Sequence, residues 1–131
     1  MSNRPSTFLR CVLFADAAIS GVSGLLMALG AGQLSALLGL PEPVLRYAGL
    51  ALLPWAALVA WLALRDAPPR VAVGAVILGN LLWAADCVVI LLAGWVEPTG
   101  LGLAFVLAQA LTVALLAELQ YFGLRRTAAP A

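Results

Sequence analysis

The sequence predicts an all-α membrane protein, a four-transmembrane-helix bundle with both termini cytoplasmic. Two observations carry this. Of 131 residues 64% are hydrophobic and only 10% charged, with a mean hydropathy of +1.07, against roughly 25% charged residues in an ordinary soluble domain. Six of the seven arginines also fall on one side of the zigzag that the apolar stretches describe.

A membrane-crossing helix needs about 20 mostly apolar residues. Four stretches qualify, at approximately 8–30, 44–64, 71–93 and 100–122. Their alanine and leucine content suits helix, and none alternates with the period of two expected of a barrel strand. They leave little chain for anything outside the bilayer, so residues 1–131 read as a single integral membrane domain.

The first stretch carries arginines ahead of it and the small residues Ala28-Leu29-Gly30-Ala31 behind it, which also suits a cleaved signal peptide. Its apolar segment exceeds the 7–15 residues of such a signal, and Asp16 interrupts it, so a retained helix is the favoured reading. It runs out through Gly30, Gly32 and Gly39 into Pro41-Glu42-Pro43, and the segment 33–38 is placed at the membrane interface. The second stretch contains Pro54, which removes a hydrogen bond from the Leu50 carbonyl and is expected to kink the helix. Arg65 to Arg70, with its paired prolines, makes a tight turn. Before the fourth stretch, Gly94 to Thr99 turns again, with Trp95 at headgroup depth and Thr99 as helix N-cap.

With the N-terminus in the cytoplasm, Arg4, Arg10, Arg65, Arg70, Arg125 and Arg126 all face inward. Only Arg46 lies outside, with Glu42 and Glu97, as the positive-inside bias of short loops requires. The expected location is a cell membrane, crossed several times. Glu42-Pro43 and Glu97-Pro98 precede alternate helices, and the other two helices each hold an aspartate. This faintly suggests two related hairpins, although chance similarity between apolar hairpins is the better explanation.

The chain has no lysine and no histidine and a net charge of +1. There is no basic run for nucleic acid. The usual haem and zinc ligands and the commonest general acid or base are missing, so no cofactor, metal or catalytic residue is expected. Gly21-Val22-Ser23-Gly24 and Gly100-Leu101-Gly102 are too apolar for phosphate cradles. Cys11 and Cys87 lie about 20 Å apart in depth, too far for a disulfide, and both read as small buried apolar residues.

Polar residues inside the bilayer hold what functional signal there is. An aspartate at mid-helix costs about 2.5–3.5 kcal/mol for insertion, against about 0.3–0.6 kcal/mol returned by each leucine or valine. Insertion therefore survives, but the acid needs a reason. Measured from the arginines, Asp16 lies about 9 Å deep, Glu118 about 10 Å, Asn80 about 15 Å, and Asp86 and Gln109 about 24 Å. Asp16 and Asp86 are then not a touching dyad.

Asp16, Ser20 and Ser23 form one stripe on the first helix. Ala17, Gly21, Gly24 and Ala28 form a small-residue face beside it, of the kind that lets membrane helices approach closely. Asn80, Trp83 and Cys87 share a face of the third helix, with Asp86 beside it. On the fourth helix Gln109 is expected to point inward and Glu118 to pair with Arg10 or Arg126. Trp83 is placed to donate its indole N–H to the Leu50 carbonyl. Candidate ion- or proton-binding residues are thus Asp16, Asp86, Ser20, Ser23, Asn80 and Gln109; Ala17, Gly21, Gly24, Ala28 and Pro54 are candidate packing residues.

Two functional readings follow. One is an interaction or structural module within a membrane assembly, with the lipid bilayer and either further copies of the chain or another membrane protein as partners. The other is a small oligomeric transporter or proton-coupled carrier using Asp16 and Asp86. In topology alone, four helices with an acid on the first resemble the small multidrug resistance exporters. Asp16 stands where those carry a glutamate, and the rest of the chain does not follow their pattern.

Overall fold

The computed structural model describes residues 7–66 and 68–126. Arg4, and Ala67 within the turn from Arg65 to Arg70, lie outside them. Five helices and no strands are present among these residues: α1 (Thr7–Leu29), α2 (Ala31–Leu38), α3 (Glu42–Leu64), α4 (Arg70–Leu92) and α5 (Gly100–Arg126). Four of them, α1, α3, α4 and α5, are long and apolar enough to cross a membrane, as in a multi-pass membrane protein.

The additional helix, α2, occupies the stretch that the sequence places at the interface. The chain leaves α1 at Gly30 without losing its hydrogen bonding: Gly30 N–H donates to Leu26 O and Leu34 N–H to Gly30 O, both at 2.8 Å. Gly39 ends α2 in the left-handed region at φ +70°, its N–H on Ser35 O. Glycine adopts that conformation without steric cost. Thr99 then ties α2 to the start of α5. Its N–H donates to Leu38 O at 2.9 Å and its hydroxyl to Leu37 O at 3.0 Å. The same hydroxyl oxygen accepts from Gly102 N–H at 3.1 Å, so Thr99 caps α5 as expected.

The long helices pack most extensively as neighbours in sequence, α1 on α3 and α4 on α5. α1 also meets α5, whereas the backbones of α3 and α4 approach closely at few points and those of α1 and α4 stay apart; Val59, Leu62 and Ala63 of α3 still share a core cluster with Val73 and Val76 of α4. The α1–α3 approach is set by small residues. A Cβ built on Gly49 would lie 2.7 Å from Gly24 O and 2.5 Å from Ala28 N, and one on Gly24 would lie 2.9 Å from Gly49 O. Gly21 sits opposite Ala56. Gly24 and Ala28 are buried, Ala17 and Gly21 half-buried. Pro54 lies within an unbroken α3 and is exposed.

Arg10, Arg65, Arg70, Arg125 and Arg126 collect at one end. Arg10 Nε donates to Ala63 O and Arg70 Nη1 to Leu124 O, each at 3.1 Å. Arg126 lies over the Phe8 ring and Arg65 over Trp61. At the other end Arg46 donates to Ala28 O and pairs with Glu42, both at 3.2 Å. Arg10, Arg46 and Arg70 each approach carbonyls near a helix C-terminus, where the orphan groups and the macrodipole favour a cation. Glu118 is exposed and is paired with neither Arg10 nor Arg126; Arg46–Glu42 is the salt bridge among the described residues. Cys11 and Cys87 are unbridged, and Cys11 is exposed rather than buried because it lies off the α1 face that holds Leu9, Leu13 and Asp16.

Candidate functional site: a buried carboxylate cluster beside a cavity

At the centre of the arginine-bearing half, Asp16, Ser20, Asn80 and Gln120 are all at least 95% buried, and Asp16 and Gln120 wholly so. Ser20 follows Asp16 by one helical turn and donates its hydroxyl to Asp16 Oδ1 at 3.0 Å. The other oxygen, Oδ2, accepts from Asn80 Nδ2 at 2.9 Å and from Gln120 Nε2 at 2.6 Å. Asn80 Nδ2 also donates to Gln120 Oε1 at 3.0 Å, closing the ring. One carboxylate thus joins α1, α4 and α5, and the Asn80 side chain reaches across the gap between α1 and α4.

Local sequence sets this up. The buried face of α5 runs through Val106, Ala110, Leu116, Ala117, Gln120 and Gly123. Gln120 falls on that stripe and Glu118 falls off it. Small residues bring the backbones close enough for short polar side chains to meet. Gly123, for instance, sits against Leu9 of α1, with a built Cβ 3.0 Å from Leu9 Cα. Gln120 is absent from the residues that the sequence marks as candidates, yet it completes the cluster.

The other expected residues lie elsewhere. Asp86 is exposed on α4, six residues beyond Asn80 and outside the cluster. Ser23 is half-buried and lines a shallow surface groove with Ala18, Ile19 and Val22. Gln109 is half-buried and forms a second polar contact: Trp83 Nε1–H donates to its Oε1 at 3.0 Å, and its Nε2 lies 3.5 Å from Met27 Sδ. The Trp83 indole therefore serves Gln109 and not the Leu50 carbonyl. Depth along the helices separates Asp16 from Asn80 by about 6 Å, within the few residues by which helix ends read from sequence are uncertain.

Beside the cluster lies a cavity of about 220 Å³, walled by Ser20 of α1, Ala51 and Trp55 of α3, Asn80 and Trp83 of α4, and Val113 of α5. The Trp55 ring lies directly on Gly79, where any Cβ would displace it, and so spans the gap between α3 and α4. Asn80 spends both amide hydrogens on the cluster. Its Oδ1 has no partner among the described residues, and no sealed side-chain oxygen or nitrogen among them lacks one, so this oxygen is not fully enclosed, on a residue that lines the cavity.

No group of three or more potential metal ligands occurs among the described residues. No protein-family model matches the chain, and no curated protein or solved structure is significantly similar to it.

Proposed function

We propose that the chain is an integral membrane protein with both ends in the cytoplasm, acting as an interaction or structural module within a membrane assembly. Support for lipid as its solvent comes from the outer surface: Leu29, Val71 and Leu92 are each more than 80% exposed, amid many half-exposed leucines and valines. Soluble monomers rarely present contiguous apolar patches beyond a few hundred Å². The orientation is supported by the clustering of Arg10, Arg65, Arg70, Arg125 and Arg126 at one end.

The observation that carries the reading is the use to which Asp16 is put. An intramembrane acid is a functional candidate by default. Here both carboxylate oxygens are occupied by donors from α1, α4 and α5, so the acid acts as a joint between helices. Carriage of an ion or proton by Asp16 and Asp86 together has less support, because Asp86 is exposed outside the cluster.

Reconstitution in vesicles tests this. The module reading expects no pH-linked flux from the parent protein across a broad panel of ions and solutes. A flux that Asp16→Asn or Asp86→Asn abolishes while the fold is retained would overturn it in favour of a carrier.

A further inference from the structure

We propose that the cavity between α3 and α4 is a binding site for a small uncharged ring bearing a hydroxyl, a phenol in chemical class. The ring packs between Trp55 and Trp83, and the hydroxyl donates to Asn80 Oδ1. Nothing in the module reading requires such a ligand, and the site goes beyond it.

Size limits the ligand first. An apolar cavity of about 150 Å³ accommodates benzene, so about 220 Å³ takes one ring with a few substituent atoms. Wall chemistry limits it next. Two indoles and aliphatic side chains favour an apolar, flat body. Two polar side chains on that wall keep an uncommitted group among the described residues. Asn80 is 97% buried with its amide hydrogens committed and its carbonyl oxygen free to accept, and the Trp55 indole has an N–H free to donate. Ser20, which also lines the cavity, donates its hydroxyl to Asp16 and keeps only acceptor capacity. A hydroxyl suits this wall, because it donates to Asn80 Oδ1 and can itself accept.

We assign the ligand as uncharged: Asp16 is wholly enclosed and both its oxygens are engaged, so a cation in the cavity would exchange its hydration for indole faces without a carboxylate in contact. Access follows from the helix arrangement. The backbones of α3 and α4 approach closely at few points, so in this proposal a ring dissolved in the bilayer enters between them, past the Trp55 ring that spans the gap.

The test uses the full chain in phospholipid nanodiscs with Trp61→Phe and Trp95→Phe, both exposed positions away from the cavity. Trp55 and Trp83 then report on contact quenching by brominated rings. Saturable quenching by 4-bromophenol is expected at a membrane concentration about three- to tenfold below that for bromobenzene, the value of one net hydrogen bond. Ala51→Phe, which fills the cavity without touching the cluster, should remove the saturable component while leaving the melting temperature in place; Val113→Phe serves if that variant does not fold.

Non-saturable quenching by both probes, unaltered by the filling substitution, would overturn the site. Equal affinity for the two probes would overturn the role of Asn80, and tighter binding of 4-bromobenzylammonium would overturn the uncharged assignment. Competition by N-oleoyl tyramine would support the site and assign the ring to a lipid-borne source. Saturable binding without that competition would support it with a free phenol.

Discussion

Gln120 Nε2 donates to Asp16 Oδ2 at 2.6 Å, across 104 residues of sequence. The bond fastens the last helix to the first, and Asn80 from α4 closes onto both partners. Such a cluster differs from a single interhelical hydrogen bond, because removing its acceptor strands several buried donors at once.

Asp16→Ala should therefore cost on the order of 3 kcal/mol, since three donors lose their acceptor at about 1 kcal/mol or more each. Gln120→Leu removes one donor and leaves Asn80 its bond to Asp16, so about 1–2 kcal/mol is expected. Steric-trap unfolding in bicelles measures both. The double variant should be less destabilised than the sum of the singles, as sites in one network are. Strict additivity would contradict the cluster.

The α1–α3 crossing gives a second prediction. Gly49→Ala places a methyl group 2.5 Å from Ala28 N and should destabilise by about 1–3 kcal/mol through overpacking. Gly74→Ala, with nothing within 4 Å, should be neutral or stabilising by up to about 1 kcal/mol, because glycine is a poor helix residue. Paired thermal melts in detergent compare them, and an equal loss from both would deny the close approach.

Trp83 and Gln109 should be coupled. A double-mutant cycle with Trp83→Phe and Gln109→Leu is expected to yield about 0.6–1.7 kcal/mol, the range for hydrogen bonds between membrane helices. A coupling indistinguishable from zero would show that the bond contributes nothing to the fold.

Thr99→Val keeps the shape of the side chain but loses the hydroxyl that caps α5 and holds Leu37 O of α2. A loss of about 1 kcal/mol is expected from the cap alone. Hydrogen exchange should rise at the Gly102 amide, and an unchanged rate there would argue that the cap is not formed in solution.

The long helices are legible in the sequence because an apolar run of about 20 residues matches the thickness of a bilayer. Asp16, Ser20 and Asn80 are legible too, since polar side chains amid leucines and alanines stand out. Gln120 is not. It lies five residues before Arg125, among polar side chains that cost little near a helix end, and the apolar stretch itself finishes at 122. Its depth of about 8 Å from that arginine nevertheless matches the depth of Asp16, which is the signal that could have found it. Asp86 shows the converse: hydropathy flags an acid but does not say which way it faces. On α4 nearly every turn is apolar all round, so the helical period gives no preferred side. The cavity is illegible for a related reason, since side chains from four helices wall it together, a tertiary fact that no helix encodes alone.

The most direct test of the central claim is residue-by-residue accessibility of the two ends. In a chain with Cys11 and Cys87 replaced by alanine, single cysteines at Asp66→Cys and Glu97→Cys are exposed to a membrane-impermeant maleimide on intact cells. Labelling of the Glu97 position from outside, with the Asp66 position labelled only after permeabilisation, is the predicted result. Labelling of Asp66→Cys in intact cells, or recovery of the chain in the soluble fraction without detergent, would contradict it.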